Sequence, residues 1–212
     1  MSGVLVDDRS SGTGSGEINI PGASAAVLSP DRFEKLKILG AGTFGEAWLV
    51  RSKASGRHYV IKEQKFSPIV DSKDREKAMN EVMIISKCSH VNIIRYKEYF
   101  STPAPGGCLI LSIVMEYADA GDLHGHIKRQ RDVKKTYFNE PQVRQWIVQA
   151  RYTNCSIAQT EILSYNSMQV AFALDYLHKN KILHRDVKTQ NIFMIKSGLV
   201  KLGDFGISVA LR

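Results

Sequence analysis

Apolar and polar residues begin to alternate at Phe33. Phe33–Leu39 reads as a strand that runs into Gly40-Ala-Gly-Thr-Phe-Gly45. Glu46–Val50 predicts a second strand. A turn at Ala54-Ser-Gly56 leads to a third, His58–Ile61, which ends in Lys62. The pattern then changes period. Ala78, Val82 and Ile85 recur at i, i+4 and i+7, which predicts a helix capped by Asp71 or Ser72 and running to about Lys87. Glu81 lies on the edge of that stripe. Ile93–Phe100 and Cys108–Met115 predict two paired strands joined by a turn over Ser101–Gly107. Glu116–Asp122 breaks the pattern as a hinge would. Helices are expected from about Leu123 to Arg129 and from about Glu140 onward.

That last helix carries an irregularity. Val143, Trp146 and Ile147 form an apolar stripe that resumes at Val170, Ala171, Leu174 and Leu177. With the twenty residues Ala150–Gln169 removed, these positions fall at steps of 3, 4, 7, 8, 11 and 14 from Val143, one continuous face. Kept as helix, those residues would turn the second half by about 200°. Residues 150–169 therefore read as an insertion, either a looped-out regulatory segment or intron-derived sequence. Gln149 and Gln169 leave its junction open by one residue.

Composition narrows the class. The chain has 212 residues, 43% of them hydrophobic, enough for a sizeable core. Residues 1 to about 31, rich in Ser, Gly and Asp, read as a flexible tail. The net charge of +8 reads as a basic surface, with runs at Lys128–Arg131 and Lys134–Lys135. No aromatic interleaving argues for nucleic acid. Three scattered cysteines, Cys88, Cys108 and Cys155, read as reduced cytosolic thiols, which suits a cytoplasmic protein. The longest apolar run, Leu109–Met115, is too short to span a bilayer, so no membrane partner is expected.

Candidate chemistry concentrates in Ile182–Phe193 and in Gly203-Asp-Phe-Gly206. Asp186 is placed to accept a proton from an alcohol, and Lys188 to neutralise a phosphate. Asn191 and Asp204 supply oxygen donors for Mg²⁺. The glycine turn allows backbone N–H groups to approach phosphates, and a strand follows it where a dinucleotide fold would open a helix. Lys62, at a strand end, needs a counter-charge, and Glu81 is the candidate.

The order H-R-D-x-K-x-x-N then D-F-G is similar to the protein kinase signature. From about Phe33, outside the insertion, the chain resembles eukaryotic Ser/Thr protein kinases of the NIMA-related (Nek) family. That resemblance rests on Gly40 to Gly45, Ala47, Val60-Ile-Lys62, Glu81, Met115-Glu-Tyr117, Gly121-Asp-Leu123, His184-Arg-Asp186, Lys188–Phe193 and Leu202–Ser208. It implies an α+β, bilobal fold: residues 32–117 as a five-stranded antiparallel N-lobe with one helix, and residues 118–212 as an incomplete, mainly helical C-lobe.

The resemblance also implies ATP and Mg²⁺ as cofactors and protein Ser/Thr hydroxyls as substrates. Gly40, Ala41, Gly42, Thr43, Phe44, Gly45 and Glu46 would cover the phosphates. Leu39 and Ala47 would roof the adenine, with Phe193 beneath it. Glu116 and Ala118 would offer backbone groups to its edge, with Met115 as gatekeeper. Lys62, paired with Glu81, would bind the α- and β-phosphates, and Asp186 with Lys188 would serve the transfer. Nek relatives commonly act in mitosis, at centrosomes or in cilia. No oligomeric state is implied. The sequence ends six residues after Gly206, before the rest of the activation segment. A non-catalytic ATP- or partner-binding module is therefore the alternative, and Val143, Trp146, Leu174 and Leu177 are expected to lack cover.

Overall fold

The computed structural model describes residues 30–42, 45–67, 72–132 and 165–211. The expected tail, Thr43, Phe44, the Asp71 cap, the Lys134–Lys135 run, the stripe at Val143, Trp146 and Ile147, and insertion residues 150–164 lie outside the described residues.

Five strands form one antiparallel sheet: β1 (Phe33–Gly42), β2 (Gly45–Ser52), β3 (His58–Phe66), β4 (Tyr96–Ala104) and β5 (Cys108–Glu116), in the order β1-β2-β3-β5-β4. Helix α1 (Ser72–Lys87) packs on one face. There Ala78 and Val82 meet Phe66, Leu111 and Ile113. The opposite face buries Phe33, Val50, Ile61, Phe100 and Val114, partly covered by Trp48 and Tyr59. Alternate residues of a strand serve opposite faces, which is why β3 sends Ile61 one way and Phe66 the other.

Three expected boundaries move, each for a physical reason. β3 does not end at Lys62, because Glu63–Phe66 keep pairing with Ser112–Leu109 of β5. β4 does not begin at Ile93. The backbone there is bonded elsewhere: Ile94 N donates to Leu202 O, and Leu202 N donates to Asn92 O. The turn after β4 shrinks to Pro105–Gly107, since Ser101–Ala104 pair with Leu111–Cys108. Pro103 is tolerated within β4 because that strand lies at the sheet's edge.

Beyond the hinge come β6 (Gly121–Asp122), α2 (Leu123–Asp132), α3 (Tyr165–Lys179), β7 (Ile182–Leu183), β8 (Ile192–Met194), β9 (Val200–Leu202) and β10 (Val209–Ala210). β6, β8 and β9 form one small sheet and β7 pairs with β10. The core here joins both halves. Ile84, Ile85 and Cys88 from α1 pack with Ile93, Ala173, Leu177, Ile182, Leu202 and Phe205. Leu177 was expected to lack cover, but it is fully buried in this cluster and Leu174 packs against it. Residues from both halves share this cluster with Leu177, among them Ile84 and Ile85 of α1 and Phe205.

The insertion's last residue is built in. Gln169 lies within α3 and is buried, and its Oε1 accepts from Asn92 Nδ2 at 2.8 Å and Val200 N at 2.7 Å. The helix already includes residues 165–168, so the last five residues of the expected insertion are helical; Gln149 lies outside the described residues. Among the described residues no helix is long and apolar enough to cross a membrane.

Candidate active site

The glycine turn joins β1 to β2. Ala41 pairs with Glu46, and Gly42 with Gly45. Gly45 has φ of +102°, and a Cβ there would collide with the Glu63 carbonyl, so only glycine fits. At Gly40 and Gly42 the space a Cβ would take is open, which suits backbone approached by a ligand. Glu46 Oε2 accepts from Trp48 Nε1 at 3.0 Å.

Lys62 sits opposite Ala47 in β2 and Ile113 in β5. Its Nζ lies 2.7 Å from Glu81 Oε1 and 2.9 Å from Asp204 Oδ1. Burial works against its charge, but Glu81, then Asp204, outweigh that and raise its pKa. It therefore remains an ammonium ion. Glu81 is not at the edge of the stripe but within it, buried, and Gln64 Nε2 donates to its Oε2 at 3.2 Å.

The second group lies between β7 and β8. Asp186 Oδ2 accepts from Lys188 Nζ at 2.8 Å and from Asn191 Nδ2 at 2.9 Å. The Lys188 hydrogen bond is the main cause holding the Asp186 carboxyl below its usual range, so it is ionised at neutral pH. Asn191 is buried, and its Nδ2 also donates to Asp186 O at 2.9 Å. The amide nitrogen is thus committed, which leaves the amide oxygen as the donor for a cation. Asn191 O accepts from Gly203 N at 3.0 Å, which ties this loop to the residue before Asp204.

Two of the three described non-glycine residues with positive φ fall here, Arg185 at 65° and Asp204 at 60°. Such strain persists only where surroundings fix it. Phe205 is fully buried and its ring meets His184 edge-on at 4.9 Å. His184 is buried too. Its Nδ1 accepts from Asp186 N at 3.3 Å, and its Nε2 donates to Gly203 O at 3.1 Å. Burial is the main cause that lowers its pKa, so the ring stays neutral with one donor and one acceptor in use.

Among the described residues no three His, Cys, Asp or Glu side chains form a metal cluster. An Asp–Asn pair is the sparser set that suits Mg²⁺, which retains waters and phosphate oxygens. With Asp204 Oδ1 on Lys62, Oδ2 is the oxygen left for such an ion.

Of the residues expected to line the adenine, Met115 sits opposite Val60 and Tyr96, and Ala118 is buried. Phe193 stands opposite Lys201 in β9. A Cβ at Gly203 would reach within 2.9 Å of the Phe193 ring, so glycine lets that ring sit where it does. Leu39 is exposed on β1.

Lys201 escaped the sequence reading. It is buried, and its Nζ lies 2.7 Å from Glu116 Oε1, which also accepts from Arg95 N at 2.6 Å. One carboxylate oxygen thus pins β9, which leads to Asp204, to the end of β5. A lysine between Val200 and Leu202 in an apolar strand was the available signal. Gln64 and Gln169 gave none, since a lone amide in a strand or helix is usually solvated.

The Protein kinase domain family matches residues 33–212. The mouse serine/threonine-protein kinase Nek1 is 39% identical over 182 residues, covering 86% of this chain and 13% of that protein. Mouse Nek5 is 40% identical over 183 residues, 86% of this chain and 24% of that protein. The probable serine/threonine-protein kinase nek3 of Dictyostelium discoideum is 40% identical over 185 residues, 86% and 14% respectively. The chain therefore spans about a quarter or less of the length of these relatives. Its five-stranded antiparallel sheet, the helix on it and the two α-helices described beyond the hinge agree with the match, and the chain belongs to the protein kinase domain family as a Nek-related member.

Proposed function

We propose that this chain carries the site of an ATP-dependent protein Ser/Thr kinase. The observation that carries the reading is the Lys62 ammonium held between Glu81 and Asp204, at 2.7 and 2.9 Å, beside the Asp186–Lys188–Asn191 set. Residues 32–117 form the lobe over the nucleotide, and residues 118–212 carry the loop that meets the acceptor.

Bound Mg·ATP supplies the phosphoryl group to be transferred. Lys62 neutralises phosphate oxygens, and its two carboxylate partners keep it charged and aimed. Asn191 and Asp204 hold Mg²⁺ through oxygen. Leu39, Ala47, Met115 and Phe193 form the apolar walls for the base, with backbone groups of Glu116 and Ala118 at its edge. Asp186 accepts the proton of a Ser or Thr hydroxyl, and Lys188 offsets the charge at that point. This is positioning and electrostatics, so the residues act only as an assembled set. Two free thiols, Cys88 and Cys108, agree with a cytoplasmic setting.

The test is transfer of labelled γ-phosphate from ATP to a Ser/Thr peptide mixture by the chain and by Asp186→Asn. Transfer that falls about 10²- to 10⁴-fold in the variant is expected. Transfer at equal rates in both would remove Asp186 from the assigned role.

A further inference from the structure

We propose that Gln64 is a positioning residue for the Lys62–Glu81 pair: it holds the second oxygen of Glu81 so that the first faces Lys62. The role rests on the kinase reading of that pair. Lys62, Gln64 and Phe66 share one face of β3, and Phe66 anchors that face in the α1 cluster. Glu81 comes from α1 with its carboxylate buried, so each oxygen needs its own donor. Lys62 Nζ reaches Oε1 at 2.7 Å and Gln64 Nε2 reaches Oε2 at 3.2 Å. A carboxylate with one donor can rotate about its last torsion, because that torsion is broad. Held at both oxygens, it has one orientation.

The helix itself does not depend on Gln64. Ala78, Val82 and Ile85 bury its inward stripe, and Asn80 Nδ2 donates to Ser208 O at 3.0 Å. Removing the Gln64 amide therefore leaves α1 in place and loosens only the carboxylate. A looser Glu81 carboxylate holds the Lys62 side chain less firmly.

The experiment is ¹³C relaxation of the Lys62 ε-methylene in the nucleotide-free chain, read by NMR. It is run on wild type, Gln64→Met, Glu81→Gln and the double variant. Methionine keeps the volume and loses the donor. Gln64→Met is expected to lower the order parameter of that methylene, a loss of side-chain order with no change of charge. It should add nothing in the Glu81→Gln background, because the two residues act through one contact. Amide exchange over residues 72–87 should stay at the wild-type rate. An unchanged order parameter, or the same decrease with and without Glu81, would overturn the proposal. So would faster exchange throughout α1, which would make Gln64 a support of the fold. Nucleotide enters none of these arms. Whether Mg·ATP binds wild type separately tests the reading on which the role rests.

Discussion

Among the lysine–carboxylate pairs of the described residues, two at the candidate site have nearly equal length but different surroundings. Lys62–Glu81 spans 2.7 Å with side chains 12% and 3% exposed. Lys188–Asp186 spans 2.8 Å with side chains 49% and 26% exposed. Distance alone would give them the same weight. Water gives them different ones, because an exposed pair is screened and a buried pair is not. The first is built into the junction of sheet and helix. In the proposed kinase site, the second is the pair that an incoming hydroxyl and phosphate would meet. One pair makes the site and the other operates in it.

The difference breaks open most clearly at Lys62. Lys62→Met leaves Glu81 buried with its cation gone, and losing one partner of a buried pair costs roughly 3–5 kcal/mol. Thermal or urea unfolding should show that loss, together with loss of phosphate transfer. Asp186→Asn should separate the two quantities. Its rate penalty is about 10²- to 10⁴-fold, while its stability should change by less than about 1 kcal/mol, as for an exposed pair. A joint comparison of initial rates and melting curves checks this.

A smaller effect follows from His184, whose neutral ring joins the Asp186 loop to Gly203. Its folded pKa is lowered, so below the unfolded value of about 6.5 the unfolded chain binds the extra proton. Stability contributed by the neutral ring is complete above that value and falls as pH drops below it, by at most about 1.4 kcal/mol per pH unit. Melting temperatures from pH 7.5 to 5.5 should show this slope, and His184→Gln should remove that part of it.

Lys188→Met should be the mildest for stability, within about 1 kcal/mol. Asp186 would lose the main cause of its lowered pKa, although Asn191 still donates to it. The acid limb of the rate profile should therefore move toward higher pH. A limb that stays in place would mean that Lys188 does not set the ionisation of Asp186.

Much of this was legible in the sequence because the signals were local. The α1 stripe at Ala78, Val82 and Ile85 is buried as its spacing requires, and the five strands appear in their expected order along the chain. The Lys62–Glu81 contact followed from a lysine in an apolar strand facing an amphipathic helix. What stayed hidden was set by distant parts of the chain. The backbone of Asn92 and Ile94 bonds to Leu202 and not to β5, which no local alternation encodes. Leu177 looked exposed because its cover, Ile84, Ile85 and Phe205, lies far away in sequence. Lys201 reads as a solvated charge until Glu116 is seen beside it.

The most direct test of the site centred on Lys62 is a calorimetric titration of Mg·ATP into the chain, repeated without Mg²⁺ and with Lys62→Met. Saturable binding that needs Mg²⁺ and weakens at least about tenfold in the variant is expected, the loss that follows from removing one charged hydrogen-bond donor. Binding of equal strength in wild type and Lys62→Met, or none to wild type, would contradict a nucleotide site built around Lys62.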